Sequence, residues 1–185
     1  MNKLTTSLAL VSAMLVAGTT HAVDASDAAR TETGTLNFTG KVVGVTCTIG
    51  QAEGKQVDVA LDNVLRSQLL QVNNVAGPKQ FQIDLTGCQA GDNVALEFDS
   101  ANRNIDSTTG NLTNIATSNP AKDVQIQLLK EDGTTRIALN TRQSFKTTAT
   151  TDTVSLKFVA QYFASSNEVS VGAVQSSIGF NLNYN

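Results

Sequence analysis

The chain holds two cysteines, Cys47 and Cys88, and one histidine, His21. Nucleophilic catalysis of the Ser-His-Asp or Cys-His kind needs an imidazole beside its nucleophile. The usual zinc and copper sites need several His and Cys ligands. His21 stands in Thr20-His21-Ala22, at the end of a segment with the marks of a secretory signal. Lys3 gives a positive start, residues 8–18 form an apolar and small-residue run, and Thr20 and Ala22 occupy the two positions a signal peptidase reads. The run is too short to span a bilayer. Cleavage is expected after Ala22, so the exported chain would carry no imidazole. Export also implies an oxidising compartment, where an even pair of cysteines reads as a disulfide. A Cys47–Cys88 bridge would stabilise the fold by about 4 kcal/mol in the chain-entropy model. The carboxylates Asp58, Asp84 and Glu97 fall on the polar faces of alternating runs, where charged side chains sit in water, and nothing pairs them in a cleft for acid–base work. Asp92, Asp99 and Asp106 lack the spacing of a calcium loop. The expectation is no catalytic residue, no metal and no cofactor. The net charge of −3 is scattered, without a basic patch, which argues against nucleic acid as a partner.

The elements that would hold these residues are strands. Val57, Val59 and Leu61 alternate with polar or small residues, as do Phe81, Ile83 and Leu85, then Val94, Leu96 and Phe98, then Val124, Ile126 and Leu128. Val154, Leu156, Phe158, Ala160 and Tyr162 form the longest such run. Period-two alternation predicts sheets with one face in a core and the other in solvent. Gly77-Pro78 reads as a turn before the run that starts at Phe81, and Glu131-Asp132-Gly133 as a hairpin turn. Residues 99–121 are polar, a long loop with one short strand around 112–115. A short turn of helix is expected around 64–70. Several short strands without a long helical period predict an all-β, immunoglobulin-like β-sandwich.

The termini differ from the body. Residues 23–33 are polar and carry no large apolar residue after Val23, a composition that does not fold alone. They run into Gly34, Leu36, Phe38, Gly40 and Val42, which share one face of an extended segment. At the other end Ile178, Phe180, Leu182 and Tyr184 alternate almost to the last residue, as a strand packed in a sheet would.

Read together, these features resemble the major pilins of chaperone–usher fimbriae, type 1 fimbrial subunits above all. The residues that carry the resemblance are Gly34-Thr35-Leu36-Asn37-Phe38-Thr39-Gly40 ahead of Cys47, the second cysteine Cys88, Phe158-Val159-Ala160-Gln161-Tyr162-Phe163, and the C-terminal pattern of Gly172, Ile178, Phe180, Leu182 and the penultimate Tyr184. The resemblance implies a sandwich lacking its final strand, completed by a donor strand from a neighbouring subunit. It divides the chain into a signal peptide (1–22), a donor-strand extension (23–40) and a pilin domain (41–185). Gly34, Leu36, Phe38 and Gly40 would be the donor residues; Gly172, Ile178, Phe180, Leu182 and Tyr184 would edge the groove. The implied partners are a periplasmic fimbrial chaperone, an outer-membrane usher and other pilin subunits in a homopolymer, on a route through the periplasm to a cell-surface fimbrium that supports adhesion. A tip adhesin of this kind has a second domain and no donor arm, which leaves a shaft subunit or, as the alternative, a minor adaptor or tip-proximal subunit.

Overall fold

The computed structural model describes residues 35–39, 47–50 and 56–184. Residues 35–39 belong to the unit that ends at Lys41, and the others to the unit Val42–Asn185. The expected cleavage site at Ala22 and the arm residues Gly34 and Gly40 lie outside the described residues. Within 35–39 there is no strand, and Leu36 and Phe38 are 83% and 89% exposed.

Among the described residues the second unit has eight strands: β1 (Thr48–Ile49), β2 (Val75–Thr86), β3 (Asn93–Phe98), β4 (Leu112–Thr113), β5 (Val124–Lys130), β6 (Ser144–Thr148), β7 (Thr153–Ala164) and β8 (Phe180–Tyr184). They form a five-stranded sheet in the order β1-β2-β7-β5-β4 and a three-stranded sheet in the order β6-β3-β8. Every strand pair is antiparallel. A 3-10 turn, Arg66–Leu69, falls where a short helix was expected. The alternating residues meet in one buried cluster. Ile83 and Leu85 come from β2, Val94, Leu96 and Phe98 from β3, Leu128 from β5, and Val154, Leu156 and Phe158 from β7. Phe158 is the hub of an aromatic group, its ring 5.4 Å from Phe98, 5.2 Å from Phe145 and 5.7 Å from Phe81. Such tilted and edge-on contacts suit the ring quadrupoles. Cys47 and Cys88 are disulfide-bonded and buried, beside the Thr48–Thr86 pairing of β1 with β2.

Three sequence readings are corrected. Gly77-Pro78 is not a turn: β2 begins at Val75 and runs through it. The register against β7 slips between Ala76 and Lys79, and Gly77 takes φ 62°. A bulge leaves one residue unpaired, which lets a strand carry a proline that cannot donate. The Val57, Val59, Leu61 run is no strand of either sheet, although its burial alternates as expected. And the outward face of β5 and of the second half of β7 does not meet solvent: Gln125, Gln127, Leu129, Val159, Gln161 and Phe163 are all buried, whereas Ser155 and Lys157 earlier in β7 are exposed as expected. The glutamines are satisfied by one another and by the adjoining loop. Gln161 Nε2 donates to Gln127 Oε1 at 2.8 Å across the strand pair. Gln125 Oε1 accepts from Thr109 Oγ1 at 2.7 Å and Asn111 Nδ2 at 3.2 Å. Buried amides without partners would be destabilising, so this pairing is what permits the burial.

The polar stretch 99–121 is ordered by its own side chains. Asp99, Asn102, Asp106 and Asn114 each accept from a backbone N–H two residues on, at 3.0, 2.8, 3.0 and 3.1 Å. These are Asx turns, the reason Asp and Asn favour such loops. The short strand predicted inside it is β4.

Candidate functional site: the open margin of the C-terminal strand

The last described strand is paired on one side only. β8 matches β3 residue by residue: Phe180 with Phe98, Leu182 with Leu96, Tyr184 with Val94. β3 is flanked on its other side by β6, whereas β8 is the margin of its sheet among the described residues. The difference shows in burial. Phe98, Leu96 and Val94 are 8%, 0% and 1% exposed, while Phe180, Leu182 and Tyr184 remain half-buried although they pack on the same core. Ile178, just ahead of the strand, is half-buried against that core as well. So are Val57 and Leu61, on an extended segment that belongs to neither ladder. The core therefore has apolar margins left partly open, beside a strand edge whose N–H and C=O groups can take a further strand.

Both ends of β8 are fixed. At its start the Asp99 N–H donates to the Gly179 carbonyl at 2.9 Å, and Asn104 Nδ2 reaches the Ser177 carbonyl at 3.3 Å. At its end the Tyr184 hydroxyl donates to the Cys47 carbonyl at 2.6 Å. Burial, and secondarily the charge of Asp92, hold that hydroxyl's pKa above its ordinary value, so it stays a donor. Gly172 is not on this strand. It packs against the backbone of residues 119–121, where a Cβ would come within 2.5 Å of the Ala121 nitrogen and the Asn119 oxygen. Thus Ile178, Phe180, Leu182 and Tyr184 are gathered at one margin, and Gly172 shapes the segment leading to them. Two participants escaped the sequence reading. Val57 and Leu61 gave a clear alternating signal but were assigned a ladder they do not have, and the Tyr184 bond to Cys47 left no periodic trace.

The residues gathered here are aliphatic and aromatic, with Asn181 and Asn183 on the opposite face of β8. Among the described residues no group of three or more His, Cys, Asp or Glu is placed to hold a metal ion. What this margin offers is a sheet edge and apolar side chains.

Comparison with known proteins gives the context. Residues 61–185 match the family described as "Type-1 fimbrial protein, A". The chain belongs to the type 1 fimbrial protein family. The fimbrial protein is 36% identical over 168 residues to the major fimbrial subunit SMF-1 of Stenotrophomonas maltophilia, covering 85% of this chain and 96% of that one. It is 39% identical over 160 residues to the F17 fimbrial protein of Escherichia coli, covering 82% and 87%. Its fold resembles that of the P pilus rod subunit PapA, with a TM-score of 0.58 at 18% identity, covering 75% of this chain and 99% of that one. A subunit of a solved chaperone–usher pilus gives a TM-score of 0.58 at 19% identity, covering 83% and 96%. The sandwich is thus the immunoglobulin-like fold of chaperone–usher pilins, and the fimbrial protein is a structural subunit of a pilus shaft.

Proposed function

We propose that this fimbrial subunit polymerises by strand donation: residues 34–40 of one copy lie along the open edge of β8 in the next, to form a homopolymeric shaft. The observation that carries this is the contrast between β3 and β8, buried partner against half-exposed partner in one register. A donor strand presents every second side chain to one face. Leu36 and Phe38 would fill the open margins of the core and contribute roughly 1.5–3 kcal/mol each by burial. Gly34 and Gly40 would let the backbones close up, and the new ladder would add main-chain hydrogen bonds, a recognised way of binding a peptide. Ahead of the donor, residues 23–33 supply polar reach. Before assembly a periplasmic chaperone would cover the same margin, and an outer-membrane usher would exchange it for the next arm. The signal peptide 1–22 would direct the chain to that route, ending at the cell surface, with the pilin domain starting at 41. The role is structural and adhesive, not enzymatic.

The test is Phe38→Asp. A charge pushed into an apolar pocket costs several kcal/mol unless paired. The variant is expected to bind chaperone as wild type does and to form no fibres. Normal polymerisation would overturn the donor assignment, and unfolding of the chaperone-bound subunit would place Phe38 in its own domain's core.

A further inference from the structure

The sandwich has two unlike ends. One holds the Cys47–Cys88 bridge, with the start of β3 and the start of β7 beside it: the Cys88 N–H donates to the Asp152 carbonyl and the Ala149 N–H to the Asp92 carbonyl. The opposite end, at the start of β2 and the close of β7, carries exposed aliphatic side chains. Leu65 and Leu70 flank the 3-10 turn and are 72% and 46% exposed; Val72 is 45%, Val75 46% and Val171 71% exposed. They border two segments that are tied together. Arg66 Nε donates to the Val169 carbonyl at 2.6 Å, the Val72 N–H to Asn167 Oδ1 at 2.7 Å, and the Asn73 N–H to the Ala164 carbonyl at 2.9 Å. Beneath them lies a second, small buried cluster that includes Leu69, Ala76, Ala164 and Val169. Single exposed aliphatics are ordinary; five around one end of a small domain mark an interaction surface.

We propose that this rim is where the adjacent copy of the chain rests in the shaft, an inference that builds on the strand-donation reading. β3 starts at the disulfide end and runs toward the rim as far as Phe98, which packs on Phe158 in the middle of β7, so its partner Phe180 begins β8 at that height and β8 runs from there to the disulfide end. All strand pairs in the fold are antiparallel. A donated strand that keeps this pattern runs from Tyr184 toward Phe180, and past Phe180 it heads for the rim. The donor's own sandwich then begins almost at once. From Phe38 to Cys47 the chain can span at most about 30 Å even when fully extended. The disulfide end of the donor is therefore tethered on the rim side of the acceptor, with the rim inside its reach.

The experiment uses variants that each add one free cysteine beside the Cys47–Cys88 bridge, Leu70→Cys and Val171→Cys, with Glu131→Cys on the exposed hairpin turn as reference. Maleimide labelling rates are compared between chaperone-bound subunit and assembled fibres. The expected result is at least a tenfold slowing at Leu70→Cys and Val171→Cys on assembly and none at Glu131→Cys. Equal rates in fibres and monomer would overturn the proposal, as would full protection in the chaperone-bound subunit, which would make the chaperone the occupant. A second measurement uses Leu70→Ser/Val171→Ser. Its fibres should dissociate at lower denaturant concentration than wild type, and fibres as resistant as wild type would overturn the inference. Binding of a synthetic peptide of residues 34–40 to an arm-deleted subunit reads the groove alone. It should be unchanged by the rim variants, and its absence in the parent subunit would strike the donor reading instead.

Discussion

β3 and β8 present matched apolar triplets to one core from adjacent places in one sheet, yet β3 is sealed and β8 is half open. Alternation does not separate them, and in two of the three pairs the residue type is the same, Phe98 against Phe180 and Leu96 against Leu182. What separates them is the number of neighbours among the described residues, since β3 lies between β6 and β8 whereas β8 has β3 alone. Periodicity decides which side chains face a core; the count of flanking strands decides whether water is excluded. An edge left in that condition is normally a liability for aggregation. In the strand-donation reading it is the feature a polymer needs.

The comparison can be broken outright by removing β8. Deleting residues 180–185 takes away one of the two partners of β3 and the anchor at Tyr184. Periplasmic accumulation of the subunit should fall below detection on immunoblots, and normal accumulation of a soluble, chaperone-bound truncation would show that this strand is not the docking site.

A sharper version pits paired leucines against each other. Leu96→Ala should destabilise an arm-deleted subunit by about 2–5 kcal/mol whether or not a peptide of residues 34–40 is bound. Leu182→Ala should cost about 1 kcal/mol without the peptide, because that side chain is only half removed from water, and more with it. Denaturant melts of the four combinations check this; equal losses for the two variants in the free subunit would end the contrast between the strands.

A smaller effect tests the anchor. Tyr184→Phe deletes the donor to the Cys47 carbonyl and should cost about 0.5–1.5 kcal/mol. Hydrogen exchange should rise at the end of β8 and not at its start, where the Asp99 N–H still holds Gly179.

The smallest expected effect lies away from the edge, at Asp106. The Thr109 N–H above all, opposed by burial and helped by the Thr108 N–H, holds this carboxyl below its ordinary pKa. A depressed folded pKa means its stabilisation is present above the unfolded value and lost as pH falls through the folded one. Melting temperatures taken from about pH 5 down to about pH 2 should show a shallower acid decline in Asp106→Asn than in wild type. A parallel decline would remove the carboxylate from the account.

The legible part of this fold was its inward face. Ile83, Leu85, Val94, Leu96, Leu128, Val154, Leu156 and Phe158 were all placed by alternation, and all are buried. The candidate edge was legible as a C-terminal alternating run, but its half-open state was not, because burial depends on a neighbour that one chain's sequence does not display. Gly77-Pro78 misled because composition reports a break in hydrogen bonding, and a bulge absorbs that break without ending the strand. Gln127 and Gln161 misled because polarity predicts solvent only for an amide that lacks a partner, and each has the other across the sheet. The Asx turns of 99–121 are local hydrogen bonds with no period to detect.

The Tyr184–Cys47 bond also bears on how such a shaft could respond to pulling. In a fibre joined by donated strands, tension would enter a subunit through the arm that leads into Cys47 and leave it through the ladder along β8. The disulfide and the tyrosine bond bring those two points together at one end of the domain. Force would pass through a covalent staple and a short contact, with the five-stranded sheet largely bypassed. An antiparallel donor beside β8 would be drawn lengthwise, so that its hydrogen bonds resist in shear together and do not peel one at a time. A subunit wired in this way could stretch at the joints between domains while each sandwich stayed folded.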